Sequence, residues 1–72
     1  MPPTLHLLEV VALTEDLPTH RLRRGQVGTI VEILAPDVYE VEFSDDHGHT
    51  YAQLALPAHQ LLTLHYHPQQ AA

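Results

Sequence analysis

The sequence predicts a small all-β domain, and three observations support this prediction. Apolar residues occur in short runs rich in Val, Ile, Leu and Tyr, and Pro, Gly or Asp separates one run from the next. The chain has 72 residues, 44% of them hydrophobic, which suffices for one domain with a modest core. It contains no cysteine, so neither a disulfide nor a thiolate metal site supplements that core. We expect residues 1–72 to form a single domain, with an ordered core over about 7–66 and a flexible tail over 67–72.

The first half of the sequence predicts two strands joined by a long loop. The first strand is expected over about 7–13, where β-branched residues are frequent. Residues 14–25 include a proline, three arginines and a closing glycine, and are too polar for a core strand. Residues 26–34 form the strongest strand by composition. Its interior glycine, Gly28, predicts a bend or bulge because glycine weakens a straight strand.

The second half predicts a hairpin, one helical turn and a short last strand. Apolar and acidic residues alternate over 38–43, which is typical of a half-buried antiparallel strand. A glycine-containing connection at 44–48 leads to a fourth strand at 49–56. Pro57 suits the first position of a 3-10 turn before a fifth strand at 61–64. The residues expected to face the core from the third and fourth strands are Tyr39, Val41, Phe43, Leu54 and Leu56.

This order of elements matches a small five-stranded SH3-like barrel with a long first loop and a 3-10 turn before the last strand. A groove for proline-rich peptides is not expected on it, because such grooves are lined by aromatic side chains. The chain has no tryptophan, three tyrosines and one phenylalanine. Phe43 and at least one tyrosine are expected in the core.

Three sequence patterns resemble a family of small bacterial proteins that is catalogued as a domain of unknown function. They are Leu-x-x-Val-x-Leu at 8–13, Asp-x-Pro at 16–18 and Gly-x-Val-Gly-Thr-Ile-Val-Glu at 25–32, and the resemblance covers roughly residues 7–64. It implies no established active residues. Residues 24–31 are also similar to the KOW-type segment of some ribosomal proteins and transcription factors. A tight junction between a loop and a bent strand requires the same glycines, and we favour that structural explanation.

The charge balance limits the classes of partner. Nine acidic residues oppose three basic ones, so the formal net charge is −6. A phosphate backbone would be repelled over most of such a surface, which makes nucleic acid an unfavoured partner. No long apolar stretch is present, and we expect a soluble, cytoplasmic protein that does not enter a membrane.

All basic residues lie in the long loop. Arg21, Arg23 and Arg24 are close in sequence to Glu15 and Asp16. One interpretation is local charge pairing on a solvated loop, which we favour. The other is a small positive patch that binds a partner's carboxylates or a phosphate through bidentate guanidinium contacts. These five residues are the candidate partner-binding residues.

Seven histidines are unusual in so short a chain. Pairing of the first and last strands would bring His6 near His65 and His67, which could hold a divalent ion. Unrelated surface positions are the favoured explanation, and no cofactor is expected. His47 follows two aspartates at an exposed hairpin tip, where turn formation is a better explanation than acid–base chemistry.

These observations predict a non-catalytic protein-interaction module. Another protein is the expected partner, for example a genetically linked one of the toxin–antitoxin or immunity type. The alternative function is nucleic-acid binding of the KOW kind. The sequence allows a monomer or a homodimer formed through sheet edges.

Overall fold

The structure, a computed structural model, describes residues 5–65. The predicted tail at 67–72 lies outside the described residues. Two 3-10 turns occur, at Pro18–His20 in the first loop and at Ala58–Gln60 before the last strand. The strands are β1 (Val10–Leu13), β2 (Val27–Ala35), β3 (Val38–Ser44), β4 (Thr50–Pro57) and β5 (Leu61–Thr63).

The strands form one antiparallel sheet in the order β4-β3-β2-β1-β5. The predicted all-β class, the five strands and the 3-10 turn before the last strand are confirmed. Closure into a barrel is not observed, because β4 and β5 form the two edges of the sheet in the described part of the chain. The turn at Ala58–Gln60 directs the chain away from β4 and onto β1, where Leu61 pairs with Leu13.

One face of the sheet carries the core. Both edge strands contribute to the same cluster, Leu56 from β4 and Leu61 from β5, so the core extends across the whole width of the sheet. Every core-facing residue predicted for β3 and β4 is confirmed, with Leu54 partly buried against the cluster. The largest fully buried side chains are Tyr39, Phe43, Ile30, Val11 and Val41.

Gly28 lies next to the residue at which β2 begins to pair with β3. Val27, Gly28 and Thr29 pair with β1, and pairing with β3 begins at Thr29. A Cβ on Gly28 would lie 2.7 Å from Cγ1 of Val41, so glycine is needed for the close approach of β3. The predicted irregularity is present but displaced, because the register shifts follow Ile30 and Ile33 rather than Gly28 itself.

The first strand is shorter than predicted. Residues 7 and 8 form a turn in which Leu8 has a φ of 66°, so regular pairing of β1 begins only at Val10. Leu8 nevertheless stays beside β2, where its N–H donates to the Ile30 carbonyl over 2.7 Å. Leu5 is buried in the core, so the segment before the turn also packs onto the sheet.

Candidate functional site

The first loop, residues 14–26, extends the β1–β2 hairpin. We call it the arginine loop. Ala12 pairs with Val27 within the strands, and an isolated bridge joins Leu17 to Leu22 near the tip in the same register. The bridge consists of two backbone hydrogen bonds between those leucines, of 2.8 and 3.1 Å. The loop is therefore held by backbone pairing at both ends.

The arginine loop is also anchored in the hydrophobic core. Leu22 is 3% exposed, and Leu17 packs against the same cluster. The sequence predicts a polar loop here, whereas the structure places a core residue, Leu22, within it. The signal that identifies it is two leucines on either side of the turn Pro18–His20, which the bridge brings together. Arg21 follows that turn with a φ of 58°, in the left-handed region.

The acidic residues of the loop bind neutral groups instead of arginine side chains. Oδ1 of Asp16 accepts the backbone N–H of Arg24 at 2.8 Å. Oε1 of Glu15 accepts a hydrogen bond from Nε2 of Gln60 at 2.8 Å, which ties the loop to the turn before β5. Within residues 5–65, no arginine side chain lies within ion-pair distance of a carboxylate. The local charge pairing that we favoured is wrong.

Two of the three arginines line an open depression on the loop. Its volume is about 310 Å³. Both arginines are exposed, so their guanidinium donors are accessible from solvent. Such groups can bind a carboxylate or phosphate in a bidentate manner. The structure thus brings three of the five candidate residues together, and Arg24 and Glu15 lie outside the lining. The lining residues are Asp16, Pro18, Arg21, Leu22 and Arg23.

A second polar cluster joins the beginning and the end of the domain. Glu9 accepts a hydrogen bond from Thr63 Oγ1 at 3.0 Å and contacts Nδ1 of His6 at 2.9 Å. The bond with His6, helped by the bond from Thr63, holds the pKa of Glu9 below its ordinary value, although partial burial acts in the opposite direction. No prediction from the sequence includes this role of Glu9, which the three-residue spacing from His6 could have indicated.

The structure describes two of the three histidines of the metal hypothesis, His6 and His65. Among residues 5–65, no three His, Cys, Asp or Glu side chains form a group that could hold a metal ion. His65 is exposed, and His67 lies outside that range. The proposed combination of His6, His65 and His67 therefore stays a prediction.

Asp45 organises the β3–β4 hairpin. Its Oδ1 accepts the backbone N–H groups of His47 and His49, each at 2.9 Å, and Gly48 has a positive φ of 82°. This confirms turn formation as the role of the aspartate in this exposed segment.

In the described part of the chain, no helix is long and apolar enough to span a membrane.

Fold and site together define a small all-β domain with an open five-stranded sheet and an arginine loop fixed by hydrogen bonds. A family model described as "Domain of unknown function (DUF4926)" matches residues 7–63. The chain belongs to this family, which confirms the resemblance noted in the sequence. No curated protein and no solved structure matches the chain. The SH3-like and KOW-like resemblances stay predictions.

Proposed function

We propose that the chain is a non-catalytic protein-interaction module whose arginine loop contacts the partner. One observation carries this proposal. Arg21 and Arg23 line an open depression on a loop that hydrogen bonds and a buried leucine hold in place. Because the backbone of the loop is already ordered, little backbone entropy is lost when the loop binds a partner.

The arginine side chains contribute little to the fold, which supports a role in binding. The loop is fixed by backbone groups, by Asp16 and by Leu22, none of which needs a guanidinium. Even a well-formed exposed ion pair stabilises a protein by only about 0–1 kcal/mol. The carboxylates of Glu15 and Asp16 are already engaged elsewhere. The guanidinium donors are therefore available for a partner's carboxylates.

A protein partner fits the charge better than nucleic acid does. The net charge is −6, and the chain has only three basic residues, all in this loop. Nucleic-acid binding usually depends on several phosphate contacts, and an acidic body opposes them. A genetically linked bacterial protein, as in toxin–antitoxin or immunity pairs, would suit a domain of this size. We place this interaction in the cytoplasm.

A non-catalytic role fits the environment of the ionisable groups. Glu9, whose pKa is shifted, is engaged by His6 and Thr63 and does not line the depression. The depression itself combines two arginines and one aspartate with no histidine. Acid–base catalysis needs a positioned acid or base that can reach a substrate, and this arrangement offers donors for binding instead.

Affinity capture from a lysate of the source cells tests the proposal. The tagged full chain is compared with the triple variant Arg21→Gln, Arg23→Gln, Arg24→Gln, and His20→Ala serves as an exposed control in the same loop. We expect a protein that the wild type and the control retain and the triple variant loses, and its purified form should bind saturably. If the triple variant retains the same protein as the wild type and the control do, the proposal is contradicted. Salt-sensitive capture of RNA or DNA, lost in the triple variant, would establish the KOW-like alternative.

A further inference from the structure

A row of apolar side chains crosses the sheet on the face opposite the core. Ala12 of β1 pairs with Val27 of β2 on one side and with Leu62 of β5 on the other. Paired residues point to the same face of a sheet. Val27 is 45% exposed and Leu62 is 58% exposed, while the small Ala12 between them is buried.

The neighbouring row on this face is also largely apolar. Val10 precedes the core residue Val11 and therefore points away from the core. It pairs with Thr29, and the N–H of Leu64 donates to its carbonyl at 3.1 Å. We define the outer patch as Val10, Ala12, Val27, Leu62 and Leu64.

The outer patch differs from the rest of the same face. A solvent-facing sheet surface in an antiparallel protein is usually polar. On β3, the residues of this face are Val38, Glu40 and Glu42, and the two glutamates follow that rule. Glu42 pairs with Thr29 beside the patch. Apolar residues of β5, β1 and β2 therefore adjoin one another beside these glutamates, which is typical of a surface that another molecule covers.

Opposite charges border the outer patch on two sides. The arginine loop begins where β1 ends, and the N–H of Gly25 donates to the Leu13 carbonyl at 2.8 Å. The backbone next to Arg24 therefore lies beside the end of the Ala12 row. The glutamates of β3 form the second border. An occupant of the patch meets the backbone of the arginine loop at one end and the strand that carries Glu40 and Glu42 along one side.

Resting on the proposed function, we infer that the outer patch and the arginine loop form one docking surface for an acidic, apolar segment of a partner protein. Apolar side chains of the segment cover Val27 and Leu62, and its Asp or Glu residues lie towards the loop. The glutamates of β3 exclude carboxylates from their side of the segment. A second copy of the chain is the competing occupant, and sedimentation of the free chain distinguishes it from a partner segment.

A display library of random peptides, selected against the full chain, tests this inference. Peptides that bind are titrated into the isotopically labelled wild type and into the variant Leu62→Glu. Leu34→Glu is the matched control, because Leu34 is also an exposed strand leucine, 46% exposed and outside the patch. Sedimentation of the free chain measures self-association.

We expect enriched peptides to combine apolar residues with Asp or Glu and to shift the amide signals of Ala12, Val27 and Leu62. Leu62→Glu should weaken binding about tenfold or more, because it places a carboxylate against an apolar contact, and Leu34→Glu should change it by less than about twofold. Basic peptides, no enriched peptide, or a dimer that Leu62→Glu dissociates would overturn the inference. Acidic peptides could instead shift only the amide signals of the arginine loop and bind Leu62→Glu as tightly as the wild type. That result would overturn the role of the outer patch in docking and leave the proposed function intact.

Discussion

Gly28 and Val41 approach each other so closely that no side chain fits between them. A Cβ at position 28 would lie 2.7 Å from Cγ1 of Val41 and 3.0 Å from the Glu42 carbonyl oxygen. Val41 is fully buried and β-branched, so it cannot turn aside easily. The contact brings β3 closely against β2 next to Thr29, where the pairing of these two strands begins.

The variant Gly28→Ala should therefore lower the free energy of unfolding by about 1–3 kcal/mol through overpacking. Urea denaturation measures the change. Combined with Val41→Ala, which removes the nearest atom, the loss should be smaller than the sum of the two single losses. Strict additivity would show that the approach of these two residues is not the cause.

Glu9 makes stability depend on pH in the acid range. Its pKa in the folded protein lies below the ordinary value of 4.5, so its contribution is present above that pH and is lost as the pH falls through the lowered pKa. Glu9→Gln should lower the free energy of unfolding at neutral pH by about 0.5–1.5 kcal/mol. It should also make the fall in stability at acid pH shallower.

Denaturation at a series of pH values checks this, with Glu32→Gln as the control at an exposed glutamate of β2. The control should follow the wild type throughout. If the curves of Glu9→Gln and the wild type stay parallel down to acid pH, the bonds from His6 and Thr63 do not stabilise the charged form.

Leu22 should anchor the arginine loop to the core. Replacing this 3% exposed leucine with alanine leaves a cavity, and we expect a loss of about 2–5 kcal/mol in unfolding free energy. Thermal and urea denaturation measure it. The exposed control Leu34→Ala should change stability by less than about 0.5 kcal/mol. Similar small losses in both variants would mean that the loop does not pack on the core.

Asp16 should order the loop, while the arginine side chains should not. Asp16→Ala removes the acceptor for the Arg24 N–H, so that amide should exchange its hydrogen faster and stability should fall by about 1 kcal/mol. The triple arginine-to-glutamine variant keeps every backbone bond and should retain wild-type exchange rates. Faster exchange throughout the loop of the triple variant would show that the guanidinium groups hold it together.

The sequence predicted the strands well because alternation and β-branched residues directly report a half-buried sheet. Tyr39, Val41 and Phe43 are buried as that pattern required. It did not predict that β4 and β5 remain edges, because pairing between strands depends on the path of the connecting turn rather than on composition. Leu5 was missed since one leucine before a turn carries no periodic signal.

The candidate site was predicted in composition but not in geometry. The sequence places the three arginines in one loop. It favours their pairing with Glu15 and Asp16, because these opposite charges are close in sequence. Asp16 instead accepts a backbone N–H, and Glu15 binds Gln60, a residue distant in sequence. The hydrogen-bond partners of these acidic residues depend on the register of the loop. That register follows from the pairing of Leu17 with Leu22, which composition does not predict.

Partner binding through the arginine loop is the central claim, and calorimetric titration of the captured partner tests it most directly. We predict that the triple variant binds at least about tenfold more weakly than the wild type, since each charge-assisted hydrogen bond is worth about 1.5–3 kcal/mol. The control His20→Ala should bind as the wild type does. Equal affinity of the wild type and the triple variant would contradict the claim.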